Sequence, residues 1–375
     1  MAASLPEPDP QARAASLALL ERIGAELSSR QNWISFARYM ELALYEPGLG
    51  YYAGGAAKLG QAGDFVTAPE LGSLFGRTLA REVGALLEPG AAILEFGAGS
   101  GALAESLLDA LPAGQPYLIV EPSAELAARQ RARLGARARW LERLPERFRG
   151  VVLANEVADA MPVHAVAWTR DGIVERGVCV NEGMLAWSER PAAGSVLEAA
   201  RGIAPELPPS GRYESELGLA GRAWIGALAG MLEAGVVLIV DYGFPAREYY
   251  HPQRSMGTLM CHYRHRAHGD PFYLPGLQDI TAHVDFSALA HAAADAGLDV
   301  LGYASQADFL LNCGITDILA AEDASDARRY APLAAQAQKL LSPAEMGELF
   351  KVLALGRGVT QPLIGFLRSD RLATL

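Results

Sequence analysis

The sequence predicts an α/β fold with a mostly parallel, Rossmann-like sheet. It adds an N-terminal helical cap at 1–85 to a main domain at 86–375, with insertions at about 164–215 and 245–284. Three observations predict this. Short apolar runs alternate with helical spacing from "AAILEF" onward, the pattern of βαβ units. These runs are continuously apolar, as parallel strands buried on both faces must be. The first of them opens into the glycine-rich turn "GAGSG" (97–101).

The elements follow in order. "SLALLERIGAEL" (16–27) has apolar residues at helical spacing. "SFARYMELALYEPG" is a second helix, capped by Ser35 and stopped by Pro47 and Gly48. "APELGSLFGRTLAREVGALLEPG" reads as a third, after the glycine-rich hinge 48–65. "AAILEF", "YLIVE", "VVLAN" and "GVVLIVDYG" are the four clear strands. "LDVLGYA" and "PLIGFLRS" read as two more. Helices follow the first two strands, the first with Leu103, Leu107 and Leu111 on one face, the second beginning at Ser123. The stretch 164–190 alternates, with turn residues at Asp171-Gly172 and Asn181-Glu182-Gly183, so it reads as an inserted β-meander. Both insertions follow carboxyl ends of strands, where open α/β sheets bind ligands.

Composition narrows the function classes. Apolar residues make up 51% and charged residues 20% of 375, the balance of a well-cored protein. A net charge of −11 disfavours nucleic acid and anionic membranes as partners. Cys179, Cys261 and Cys313 are widely spaced and form neither a disulfide framework nor a CxxC site. No apolar run reaches membrane-spanning length. The N-terminus carries Glu7, Asp9, Glu21 and Glu26 and lacks a signal or transit pattern, so a cytoplasmic location is expected.

The glycine turn has two readings. Gly97-x-Gly99-x-x-Ala102, with Glu121 about twenty residues on, matches the dinucleotide fingerprint of an NAD(P)-dependent oxidoreductase. Glu95-x-Gly97-x-Gly99-x-Gly101 equally matches a turn that binds S-adenosyl-L-methionine (AdoMet), with Glu121 on the ribose hydroxyls. Glu95 discriminates. AdoMet carries a sulfonium and an ammonium but no phosphate, so an anion near the turn helps AdoMet and repels a pyrophosphate. The plain alternative is a strand-end acid facing solvent.

"VLANEVADAMPVH" follows the third strand and sets Asn155, Glu156 and Asp159 at its carboxyl end. Carboxylates there suit a guanidinium, which stays protonated and pairs bidentately with them. The competing role is capping of the next element.

At this point the residues resemble the MidA-like methyltransferases, which include a mitochondrial complex I assembly factor. The matching segments are "ISFARYMELALYEPGLGYY", "GDFVTAPELGSLFG", "ILEFGAGSGALA", "VLANEVADAMPVH", "DYGFPAREYYHPQRSMGTLMCHYRHRAH" and "PGLQDITAHVDF", spread from Ile34 to Phe286. The resemblance implies a class I methyltransferase fold with AdoMet as donor. It also implies an arginine of a partner protein, such as a complex I subunit, as acceptor. It assigns Glu95, Gly97, Gly99, Gly101, Glu121 and Pro122 to the cofactor, and with them Asp64, Thr67 and Glu70 from the segment before the sheet. Asn155, Glu156 and Asp159 match the catalytic block, although Val157-Ala158 stands where relatives carry two aromatics.

The stretch 258–286 holds His262, His265, His268 and His283 beside Cys261. Arg264 and Arg266 are interleaved, and the spacing fits no standard zinc pattern, so no metal is expected. Two readings stay open: His262, Asp279, His283 and Asp285 position the substrate, or the cluster is a structural hydrogen-bond network. A non-catalytic AdoMet-binding assembly factor is a further alternative, and a homodimer stays open as the assembly.

Overall fold

The computed structural model describes residues 5–54 and 67–375. The chain divides into two compact units. One takes the described residues of Met1–Phe65 together with Asp159–Gly221 and Ala246–His283. The other takes the described residues of Val66–Ala158, together with Arg222–Pro245 and Val284–Leu375.

The second of these, the sheet unit, is built on β1 (Ala92–Phe96), β2 (Tyr117–Val120), β3 (Arg139–Leu141), β4 (Phe148–Asn155), β5 (Leu232–Phe244), β6 (Asp299–Ser305) and β7 (Phe350–Arg357). Their spatial order is β3-β2-β1-β4-β5-β7-β6, and Val284–Asp285 adds a short parallel pairing to the end of β5. β1 to β5 run parallel, and β7 is antiparallel to both β5 and β6. The order reverses between β1 and β4, which is the switch point where ligands bind in doubly wound sheets. Val151, Val152, Leu153 and Ala154 of β4 are all essentially buried, as the continuous apolar run requires. Each such side chain contributes about 1.5–3 kcal/mol. Apolar cores form on both faces, one holding Ile93, Leu103 and Leu153, the other Leu94, Val152 and Ile225.

Three expectations change here. The helix Ser73–Leu86, read as part of a 1–85 cap, belongs to the sheet unit. Gly72, at φ +141, separates it from a 3-10 turn at Ala68–Leu71, so the predicted single helix is two elements. "PLIGFLRS" is not a strand: Ile364–Phe366 is a 3-10 turn, and Gly365 N donates to Glu82 at 2.7 Å. The place beside β5 is taken by Phe350–Arg357, whose eight residues pair continuously with Gly235–Tyr242.

The other unit holds a five-stranded sheet and a three-stranded sheet among the described residues. The first contains the meander His164–Thr169, Gly172–Asn181 and Met184–Pro191, joined by Arg212–Leu217 and by Ile34–Ser35. Ser35 caps the helix Phe36–Tyr45, accepting from Arg38 N at 3.2 Å. The helix buries Phe36, Tyr39, Met40 and Leu44 in a core with Val178 and Ile280. In the three-stranded sheet, Met260–Tyr263 pairs on either side with Arg266–His268 and Asp279–Thr281. Arg264 and His265 make the two-residue hairpin turn, both with positive φ (+47 and +60), as a right-twisted hairpin demands. No helix among the described residues is long and apolar enough to cross a membrane.

Candidate active site

The carboxyl end of β1 runs into the glycine turn. Gly97, Gly99 and Gly101 have φ of +58, +55 and +82, so all three need the left-handed region that a Cβ disfavours. Gly97 N donates to Val120 O at 3.0 Å, and Gly101 N closes the turn on Ala98 O at 2.7 Å. Gly101 then caps the helix Ala102–Ala110, whose first N–H groups open at the turn.

Glu121 lies at the end of β2. Its Oε1 accepts from Ser123 N and its Oε2 from Gln130 Nε2, both at 2.9 Å. Burial pushes its carboxyl above the usual range, against the pull of these two bonds. Two engaged oxygens still leave lone pairs for ribose hydroxyls. Pro122 is exposed and precedes Ser123, the cap of the helix Ala124–Leu134. Gln130, fully buried, reaches Gly99 O at 2.9 Å and is itself fixed by Trp140 Nε1 at 2.8 Å.

Glu95 is not a solvent-facing strand-end acid: it is 2% exposed and accepts from the Tyr117 hydroxyl at 2.7 Å. Burial, opposed by that bond and helped by the charge of Glu121, raises its carboxyl to about 7. Glu70 meets the turn from the 3-10 segment, accepting from Ser100 Oγ; Arg133 donates to the same hydroxyl at 2.7 Å. Thr67 is half-buried just before that segment, and its carbonyl accepts from Glu70 N at 3.0 Å. Asp64 lies outside the described residues. Three carboxylates around a glycine turn suit a cationic ligand better than a pyrophosphate, so this donor set fits AdoMet.

Glu156 follows β4 with φ +54, a left-handed conformation unusual for a residue with a side chain. Its N–H donates to Val240 O at 2.9 Å. Its Oε1 accepts from Asn155 Nδ2 at 3.2 Å and from Ala68 N at 3.4 Å. Sequence reasoning missed Asp241, which sits at the end of β5 and accepts from the next two backbone N–H groups, Val157 and Ala158. The strand-end acid in "IVDYG" was the available signal.

Asp159 belongs to the other unit. It is buried, and its carbonyl accepts from Ala282 N at 3.1 Å. In the same unit His262 stands opposite Asp279 across the three-stranded sheet, and Asp279 accepts from the Tyr52 hydroxyl at 2.9 Å. His283 N donates to Thr258 Oγ1 at 3.1 Å. Thr258 in turn donates twice to buried Glu216, at 2.9 Å from each group. Glu216, Thr258 and Tyr249 thus form a hydrogen-bonded network that the sequence did not disclose. Asp285 caps the helix Phe286–Asp295, its side chain accepting from Ala288 N at 3.0 Å. No three His, Cys, Asp or Glu side chains gather as a metal site among the described residues.

A family model described as an S-adenosyl-L-methionine-dependent methyltransferase matches residues 74–304. A crystal structure of a Burkholderia thailandensis protein bound to S-adenosyl-homocysteine is 52% identical, with a TM-score of 0.95 over 99% of this chain and 100% of that one. A zebrafish (Danio rerio) relative named protein arginine methyltransferase NDUFAF7, mitochondrial, is 30% identical across 86% of this chain and 83% of its own. The Drosophila melanogaster homologue of that name is 28% identical across 96% and 91%. These findings set aside the dinucleotide alternative. They also overturn the cytoplasmic expectation, because the relatives are named as mitochondrial proteins.

Proposed function

Because the chain belongs to the S-adenosyl-L-methionine-dependent methyltransferase family, we propose that it methylates an arginine of a partner protein. The observation that carries this reading is Glu156, a carboxylate at the carboxyl end of β4 held in a left-handed turn by Val240, Asn155 and Ala68. The names of the zebrafish and fly relatives as arginine methyltransferases support it. A subunit of respiratory complex I is the acceptor that the family resemblance implies.

Bound AdoMet supplies an electrophilic methyl group. The glycine turn and Glu121 take the donor's backbone and ribose contacts, while Glu95 and Glu70 set negative charge near its cationic centres. Glu156 orients the guanidinium, which is charged at any physiological pH. Its charge counts most as the attacking nitrogen gives up a proton, because a preorganised carboxylate needs no rearrangement at that moment. Alignment of nitrogen and methyl supplies much of the remaining rate.

Mass spectrometry of methylarginine in total protein, from cells with and without this enzyme, tests the acceptor class. Glu156→Gln tests the site. AdoMet affinity should persist while turnover per folded molecule drops by about 10²-fold or more. A helix-capping role would instead lower stability and spare turnover, and near wild-type turnover removes Glu156 from catalysis.

A further inference from the structure

We infer that Asp241 is a positioning residue for methyl transfer, acting through the backbone of Glu156; this rests on the reading of Glu156 given above. Strands β4 and β5 stay in register up to Asn155 opposite Val240, and Glu156 N makes one more bond to Val240 O. The backbone then turns left-handed at Glu156. The next two N–H groups, Val157 and Ala158, converge on a single oxygen, Asp241 Oδ2, at 3.2 and 2.9 Å. The other oxygen, Oδ1, accepts from Tyr242 N at 2.9 Å.

A left-handed residue with a side chain persists only where its surroundings dictate it. Here they do so through two consecutive N–H groups held on one carboxyl oxygen, a geometry that fixes the course of the backbone just after Glu156. Without the carboxylate, the turn loses what draws both N–H groups to one point, and Glu156 can relax toward ordinary β backbone. That swings its side chain away from Ala68 N and Asn155. Asp241 has no exposed surface, so it touches neither acceptor nor donor. Its effect on the reaction passes through the loop. An amide cannot replace it: with its oxygen on Val157 and Ala158, its nitrogen would face Tyr242 N–H, donor against donor.

The test compares wild type, Asp241→Asn, Glu156→Gln and the double variant. Transfer of label from [methyl-³H]AdoMet to total protein of cells lacking the enzyme is measured per folded molecule, with AdoMet affinity measured alongside. Asp241→Asn should cut turnover by about a hundredfold, the scale of a misplaced catalytic group, with AdoMet affinity kept. On the Glu156→Gln background it should cost little more, because both changes disable one unit. Losses that multiply, or full turnover in Asp241→Asn, overturn the inference. Full turnover in Glu156→Gln defeats the parent reading instead. If Asp241→Asn does not fold, amide exchange in the wild type decides. Val157 and Ala158 protected like strand residues support the inference, and exchange at loop rates overturns it.

Discussion

Gln130 ties Glu121 to the glycine turn: its amide nitrogen lies 2.9 Å from Glu121 Oε2 and 2.9 Å from Gly99 O. One side chain from the helix Ala124–Leu134 thereby fixes both proposed halves of the cofactor site. Gln130→Leu should leave a buried carboxylate and a carbonyl short of a donor, costing about 1–3 kcal/mol. AdoMet affinity should fall about tenfold or more in calorimetry. An unchanged affinity would show that the turn and Glu121 hold their places without it.

Gly99→Val should abolish AdoMet binding. The residue has φ +55, which a β-branched side chain resists at a cost of about 1–3 kcal/mol. A branched side chain also blocks the close approach of ligand to backbone. Normal binding by a folded variant would take the glycine turn out of the cofactor site.

Cofactor binding should depend on pH through Glu95. Burial raises its carboxyl to about 7, so near neutrality it is partly protonated before AdoMet arrives. The donor's positive charge favours the carboxylate, and binding should release a proton. Affinity should therefore rise as pH climbs through about 7 and level off above it. S-adenosyl-homocysteine, without the sulfonium charge, should respond less. Calorimetry in buffers of different ionisation heat measures the proton. The same pH profile in Glu95→Gln would exclude this group as its source.

Glu82 should make the protein less stable as pH rises. Burial pushes its carboxyl from 4.5 to about 7 despite the bond from Gly365 N, so the fold favours its neutral form. A raised folded value means that the contribution is fully present below about 4.5 and is lost as pH rises through 7. Glu82→Gln keeps the acceptor for Gly365 N and removes the titration. It should match wild type near pH 4 and exceed it by about 1–3 kcal/mol at pH 8, read from denaturant midpoints. A variant less stable than wild type at pH 8 would contradict this.

The sequence by itself determined what is local. Gly97, Gly99 and Gly101 announce a turn because only glycine enters the left-handed region cheaply, and their φ values agree. The apolar runs of β1, β2, β4 and β5 announce buried parallel strands because apolar residues fill successive positions rather than alternate ones, with Glu95 a buried exception in β1. Ser35 and Ser123 announce helix starts because a cap bonds within its own first turn. Tertiary structure decided what depends on residues far apart in the chain. Phe350–Arg357, not "PLIGFLRS", became the last strand because β5 and β6 offered it pairing on both edges. The turn Arg264-His265 carries no glycine or asparagine signal; the pairing of Cys261–Tyr263 with Arg266–His268 imposes its hand. Asp241 finds Val157 and Ala158 across more than eighty residues, and Gln130 finds Gly99 across 31. No spacing in a single sequence encodes such partners, because a hydrogen bond is made by atoms that the fold brings within about 3.2 Å, whatever their separation along the chain.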